Sequence, residues 1–512
     1  MAPTVKEPPQ KFDFTVETLI VGAGACGLIA ALSAMEAGQE VLVIEADAVP
    51  SGSTALSAGL IPAAGTKIQQ AAGIKDSTAL FAADIQAKAH QENNQVLVDL
   101  LAQNAAEVID WLTQTHGLAF SLVDDFDYPG HSSRRMHGLP TRAGSELIDA
   151  LRTAAERAGI DIICGRRAET LYLQDGLVHG VTAMRPDGGI ETIGCGRLIL
   201  ACNGFGGNRA LVSEHMPEIE NGLWFGHDGN RGEAVLWASQ IGAATEHLGA
   251  FQGHGNVAHP HGILITWATI TEGGVQVNAA GERFWNEAQG YSEAARAVLS
   301  QAQGVAYAIF DGRIAEIAEQ FEDFKRAKSE GAIKSSGTLE GLAQALGLPA
   351  DTLSKTIAEI SPNGTDRFGR SFGETLLSPP YCGVRVTGAL FHTQGGLDID
   401  AHCRVLRADG SPLPNLLAAG GAARGVSGNA VWGYLSGNGL LSAVGGGWVA
   451  AGTAAKPALR TCDHDSHLLR TRPQPAGSRA GTASGTGMPR RWRSGASRHR
   501  RDVGAEALAG LE

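Results

Sequence analysis

The sequence predicts an α/β protein in which a nucleotide-binding domain is interrupted by an inserted α+β domain. Three observations carry that expectation. An apolar strand near the amino terminus runs straight into a glycine turn and a helix, a mixed strand and helix pattern fills 256–382, and strand and glycine-turn character returns over 383–455. With 512 residues and 43% hydrophobic content the chain can bury a large core and is too long for one ordinary domain.

The first unit is TLIVGAG (18–24) followed by ACGLIAALSAMEAG, whose small and apolar residues recur at helical spacing and stop at Gly38. A second strand, EVLVIEA (40–46), closes it, and strand, turn, helix and strand in that order make a parallel βαβ unit. Helices are expected over 94–118 and 143–158. Short strands are expected over 161–202, with a turn at PDGG before the buried strand RLILACNG. Within the insert, GRIAEIAEQFEDFKRAKSEG (312–331) reads as one helical stretch. The expected organisation is thus 15–255 and 383–455 as the two parts of the nucleotide domain, with 256–382 as a cap over the substrate. The last segment, 456–512, lacks apolar periodicity and holds 11 Lys and Arg against 5 Asp and Glu, so it is expected to be a disordered tail without a catalytic role.

A net charge of −12 argues against nucleic acid as the main partner, because binding phosphates needs a positive surface. The seven cysteines (Cys26, Cys164, Cys195, Cys202, Cys382, Cys403 and Cys462) form no CxxC or CxxCH spacing, which argues against structural zinc and haem attachment. The amino terminus lacks a signal-peptide pattern, and no apolar run is long enough to cross a bilayer. A cytoplasmic metabolic enzyme is the expectation.

Gly22, Gly24 and Gly27 form GxGxxG around Ala25, between strand and helix, where a pyrophosphate can approach the helix amino terminus. Glu45, followed by Ala46 at the end of the second strand, is placed to hold a ribose diol. Glycines alone would also suit a turn that only packs helix on strand; the strand-turn-helix-strand setting with a terminal acid makes the turn a dinucleotide site of the Rossmann type. Downstream, SGSTALSAG (51–59) offers hydroxyls and backbone N–H groups to a second phosphate and a sugar chain.

Together with LILACNGFGGN (198–208) and LPNLLAAGGAARG (413–425), these motifs resemble flavoproteins of the fumarate reductase and succinate dehydrogenase superfamily over residues 15–455. The resemblance implies FAD, contacted by Gly22, Gly24, Ala25, Gly27, Glu45, Ala46, Ser53, Thr54, Ser57, Gly59, Ala168, Asn203, Gly204, Gly229, Gly420, Gly421, Asn438 and Leu440. The chain departs from the family at Gly421, which replaces the usual acid after AAG. It also lacks the histidine near Ser53 that carries covalent flavin, so non-covalent FAD is expected.

In the fumarate reductase branch the substrate is held by histidines and two arginines, with a glutamate and arginine relaying protons. His254 (in FQGHGN), Thr266 and His392 (in FHTQGG) keep the family residues. Trp267 and Ile270 stand at the relay positions, Tyr291 follows RFWNE (283–287) where an arginine is usual, and Tyr434 in GYLSGNG replaces the second arginine. Arginine grips carboxylate bidentately with a fixed charge that a neutral phenol lacks, so a dicarboxylate substrate is not expected. The two tyrosines look like those of the 3-ketosteroid 1-dehydrogenases, which form a double bond beside a carbonyl. That resemblance implies Tyr291 as base for the α-proton, hydride transfer to flavin N5, Tyr434 and a loop N–H of Asn438 polarising the carbonyl, and Tyr128 (in FDYPGH) in support. Each tyrosine also reads as an ordinary buried aromatic with a satisfied hydroxyl.

The leading expectation is therefore an FAD-dependent desaturase of a 3-ketosteroid or smaller cyclic ketone, with an unknown electron acceptor. An ene-reductase of an activated C=C bond and a non-catalytic flavin-binding protein are the alternatives. His131 and His137, in HSSRRMH, are read as part of a solvated loop. His259 and His261, a close pair without further ligands, are not read as a metal site.

Overall fold

The structure, a computed structural model, describes residues 3–124 and 128–455; the basic segment 456–512, with Cys462, lies outside the described residues. The fold is mixed α/β, built on a nine-stranded and a seven-stranded sheet. In the first, Asp161–Ile163, Val41–Ile44, Phe14–Val21 and Ile190–Leu200 lie side by side in parallel. The long strand Ile190–Leu200 then divides its pairing. Its first half is antiparallel to Leu177–Met184, and its second half is parallel to Pro412–Ala418, which brings the late chain back beside the early one.

The expected βαβ unit is present as Phe14–Val21, helix Ala25–Glu36 and Val41–Ile44. That helix is made largely of Ala, Gly and other small residues and is buried on most of its surface. It packs against helix Asn438–Ala454, in which Gly445, Gly446 and Gly447 interrupt the side-chain layer. A Cβ at Gly447 would lie 2.4 Å from the Cys26 carbonyl oxygen. Each glycine costs the helix about 1 kcal/mol relative to alanine, and the close approach of the two helices is what it permits. Helix Gln95–Gln114 packs its Leu97, Leu101, Val108 and Leu112 stripe into the same core and is capped by Asn94.

The second sheet orders Ile263–Leu264, Phe251–Ala258, Tyr381–Thr393, Val305–Asp311 and Val275–Val277, with Leu223–Trp224 and Ile333–Ser336 also paired to the long Tyr381–Thr393 strand. Its strands extend to either side of the 256–382 interval. The single helix expected over 312–331 is instead two, Gly312–Ala318 and Glu322–Ser329. The buried side chains explain the break: Ile314 and Ala318 face the core, and a continuous helix would next bury Phe321 or Glu322 and Lys325. The break re-phases the chain so that Phe324 and Ala327 go inside.

Candidate active site

A cavity of about 390 Å³ opens between the two sheets. All five side chains expected to act on substrate (Tyr128, His254, Tyr291, His392 and Tyr434) line it. So do Gly22, Gly24, Ala25, Glu45, Ala46, Ser53, Thr54, Ser57, Ala168, Asn203, Gly229, Gly420, Gly421 and Leu440 from the expected cofactor set. Four expected contacts are not in its wall. Gly27 is a packing glycine whose added Cβ would sit 1.9 Å from the Gly22 carbonyl, Gly59 abuts the Ala143 carbonyl, and Gly204 abuts Thr393 Oγ1. Asn438 is fully buried behind the wall.

The cofactor end is a cradle of backbone. At Gly22, φ is +106° and a Cβ would meet the Ala201 carbonyl oxygen at 2.4 Å, so only glycine fits the turn. The Glu45 carboxylate accepts the Ala23 N–H at 2.7 Å and the Asp47 N–H at 2.9 Å, which fixes it at the strand end. Helices Ala25–Glu36 and Asn438–Ala454 both present their amino termini to the cavity, and their first-turn N–H groups have no intrahelical acceptor. Glu233 Oε2, also in the wall, is buried without a hydrogen-bond partner. A bent dinucleotide with a pyrophosphate and polar sugars fits this donor set, and the residues named would hold FAD. The replacement at Gly421 is accommodated by a neighbour: a Cβ there would lie 2.1 Å from Asn203 Oδ1, so the Asn203 side chain occupies the space. Asn203 in turn donates from Nδ2 to Ser53 Oγ at 2.8 Å.

The substrate end is built from rings. Phe225 stacks on Phe391 (centroids 4.9 Å apart, 17°), Phe391 on His254 (5.4 Å, 20°) and His254 on Tyr291 (5.0 Å, 19°). Tyr434 meets Tyr291 edge-on at 6.3 Å and His392 edge-on at 5.6 Å. Gln252 and His254 reach the wall from one face of strand Phe251–Ala258. Its partner strand supplies three successive residues, Phe391, His392 and Thr393, where Gln252 pairs with His392 and Gly253 with Leu390, leaving Phe391 as the extra residue of a β-bulge. Period-2 alternation from His392 would have hidden Phe391, which is why it escaped the sequence reading. Ser436, equally missed, lies within the motif that carries Tyr434; its Oγ is 3.1 Å from the Tyr291 hydroxyl.

Protonation follows burial. It pushes His254 down to about 3 and His392 to about 4, the latter against a nearby Thr393 carbonyl, so both imidazoles are neutral in ordinary buffers. Gln394 Nε2 donates to His392 Nδ1 at 2.8 Å, Ser427 Oγ donates to Gln394 Oε1 at 2.8 Å, and Asn438 Nδ2 donates to Ser427 Oγ at 3.1 Å. With Nδ1 accepting from Gln394 the His392 ring hydrogen is on Nε2, whereas the Thr393 carbonyl oxygen, 3.2 Å from Nδ1, can only accept and favours the hydrogen on Nδ1. Burial also raises the Tyr434 phenol to about 12, opposed by the N–H groups of Gly439 and Gly437 that hydrogen-bond its oxygen. Tyr291 is raised well above the ordinary phenol value by burial and then by Tyr434, with Ser436 opposing.

Asn438 does not supply the loop N–H expected at a carbonyl: its N–H donates to Leu435 O at 3.0 Å as the chain turns into the helix. The Gly437 and Gly439 N–H groups serve this end of the site, through Tyr434. Trp267 and Ile270 lie in an apolar cluster with Ile265, Trp285 and Val298, on which Tyr291 packs. Thr266 is not in the wall; its Oγ1 accepts the Ala268 N–H at 3.3 Å at the start of a short helix.

The run HSSRRMH is solvated only in its first half, where Ser132 and Arg134 are exposed; its second half, from Arg135 to His137, is buried. Arg135 is 1% exposed between Asp76 and Asp84, and His137 is a core histidine bonded to Thr66 Oγ1 at 2.8 Å. Two aspartates within reach of one guanidinium explain why Arg135 is buried. Among the described residues no group of His, Cys, Asp and Glu could hold a metal, and no helix is long and apolar enough to cross a membrane.

A family model described as FAD binding domain matches residues 17–440. A probable fumarate reductase of Shewanella frigidimarina is 31% identical over 455 residues, covering 87% of this chain and 76% of the relative. The open conformation of a flavocytochrome c3 fumarate reductase superposes with a TM-score of 0.75 at 30% identity, over 87% of this chain and 79% of that one. A 3-oxosteroid 1-dehydrogenase of Mycobacterium tuberculosis is 28% identical over 336 residues, 56% of this chain and 58% of the relative.

Proposed function

This chain belongs to the FAD binding domain family and is an FAD-dependent oxidoreductase acting on carbon–carbon bonds, and within that class we propose that it introduces an α,β double bond beside the carbonyl of a 3-ketosteroid or smaller cyclic ketone. The observation that carries this reading is the meeting of Tyr291 and Tyr434 at 6.3 Å in a wall of neutral rings. The arginines that line the cavity, Arg166 and Arg167, sit at the cofactor end, where the Arg166 N–H donates to the Glu45 carbonyl and Arg167 pairs with Glu233. A dicarboxylate would bring two charges to a substrate end whose described lining residues offer no arginine or lysine as countercharge, at a desolvation cost of several kcal/mol per ion. An uncharged ketone brings one acceptor.

Two donors await that acceptor. Tyr434 has its oxygen occupied by backbone N–H groups and its own hydrogen free to donate, and His392, in the tautomer that accepts from Gln394, carries its hydrogen on Nε2. Both polarise the ketone oxygen and acidify the neighbouring C–H. Tyr291 takes the α-proton, the C–C double bond forms from that electron pair, and the β-hydrogen leaves as hydride. FAD held in the cradle supplies the two-electron acceptor for it. His254, neutral and stacked on the Tyr291 ring, holds that ring in place; its Nδ1 accepts the Asn256 N–H at 3.2 Å.

A dye-linked assay on the purified holoprotein with 4-androstene-3,17-dione, cyclohexanone and succinate tests the reading. Dye reduction with a ketone and not with succinate is expected, and the reverse pattern refutes it. The same site run backwards is an ene-reductase, a second reading favoured by the retained His254 and His392 and by the reductase relatives. Anaerobic reoxidation of reduced flavin by an enone, with no dye reduction by the saturated ketone, would select it.

A further inference from the structure

At its start the run that was expected to be solvated packs against Leu435 and Ser436, the loop beside Tyr291. Arg135 donates from Nε and Nη2 to Asp76 at 2.9 and 3.0 Å, from Nη1 to Asp84, and from Nη1 again to His131 Nδ1 at 3.2 Å. A guanidinium cannot accept a hydrogen bond, so His131 Nδ1 is the acceptor and its ring hydrogen is on Nε2. Nε2 lies 2.9 Å from the Ser436 carbonyl oxygen. Gly130, at φ +83°, lets the loop approach so closely that a Cβ there would meet Leu435 Cδ1 at 2.8 Å. The other end of Ser436, its Oγ, faces the Tyr291 hydroxyl at 3.1 Å.

We infer that His131, held by Arg135, is a positioning residue for the base: it pins the Ser436 carbonyl, and Ser436 presents its hydroxyl to Tyr291. The inference rests on the reading of Tyr291 as base. A buried phenol that must give up its proton needs a donor beside its oxygen. The groups facing Tyr291 are Tyr434 and Ser436 from the loop before helix Asn438–Ala454, Glu293 on its own helix with Lys88 paired to it, Tyr128, and the stacked neutral His254. Tyr434, Glu293 and Tyr128 all disfavour the phenolate, and Ser436 favours it. Burial and then Arg135 push His131 down to about 4, so the neutral, donating ring persists through the working range of pH.

The test is the pH dependence of anaerobic flavin reduction by whichever of 4-androstene-3,17-dione and cyclohexanone bleaches the wild-type holoprotein. Ser436→Ala should lower the rate at neutral pH by about tenfold to a hundredfold and move the profile about one to two units to higher pH, since a hydrogen bond to a charged group is lost. KM should stay within about twofold, and Ser436→Thr should restore both rate and profile. His131→Phe should shift the profile in the same direction, whereas His131→Gln, which keeps an N–H, should lie near wild type. Bound-flavin absorbance checks that each variant is folded, and if His131→Phe is not, the Ser436 pair decides. Profiles of Ser436→Ala and His131→Phe that superimpose on wild type, with Tyr291→Phe inactive, overturn the inference alone. Tyr291→Phe at wild-type rate overturns the underlying reading instead.

Discussion

The two ends of the cavity solve different problems with different material. The cofactor end is defined by backbone: a turn where φ is positive, carbonyls at van der Waals limit and two helix amino termini. The substrate end is defined by side chains: four rings in a stacked series, two phenols and two neutral imidazoles. Backbone geometry tolerates almost no substitution and leaves a fixed spacing of glycines. Side-chain geometry can be refitted residue by residue, so the same cradle serves different reactions.

The largest effect should come from the backbone end. Gly22→Val forces a β-branched residue into φ +106° and against the Ala201 carbonyl, and the protein should be recovered colourless. Flavin retained at half the wild-type content or more would mean that the cradle is not limited by its turn.

At the other end, Tyr291→Phe should keep its flavin and lose turnover by about 10² to 10⁴, the usual worth of a positioned base. Because burial raises the Tyr291 phenol well above its ordinary value, the deprotonated form is scarce at neutral pH and grows tenfold per unit. The wild-type rate of flavin reduction should therefore climb with pH and still be rising at pH 10. A plateau below pH 8 would exclude Tyr291 as the titrating base. Tyr434→Phe removes one of two donors to the ketone oxygen and should cost about 10² to 10³ in turnover; a change confined to KM would reassign it to binding alone. The smallest effect should be Phe391→Leu. It breaks the stack while leaving the chemistry, so a loss of about twofold to tenfold is expected from stacking worth about 0.5–1.5 kcal/mol per pair. A loss as large as that of Tyr291→Phe would show the stack to be part of the reaction.

The same contrast explains what could be read from the chain. GxGxxG between an apolar strand and a small-residue helix states a backbone requirement directly, and Glu45 follows it at strand length, so the cradle was legible. Tyr291 and Tyr434 were legible because their motifs align with a family, not because anything local demands them. Phe391 was not, since a bulge breaks the alternation that would place it, and neither was Ser436, a small polar residue without a pattern of its own. The loop from His131 to His137 was misread in its second half because four of its seven residues are His or Arg; the two aspartates that bury Arg135, Asp76 and Asp84, lie more than 50 residues away in sequence. The helix break at 319–321 was invisible for a related reason: the residues that bury Phe324 belong to distant strands of the second sheet.

The most direct test of a neutral, phenol-based site is anaerobic rapid mixing of the holoprotein with a cyclic ketone and, separately, with succinate, following flavin absorbance in wild type and Tyr291→Phe. The ketone should bleach the wild-type flavin, bleach Tyr291→Phe at least a hundredfold more slowly, and succinate should bleach neither. Bleaching by succinate without bleaching by the ketone, or equal rates in the two proteins, would contradict the account.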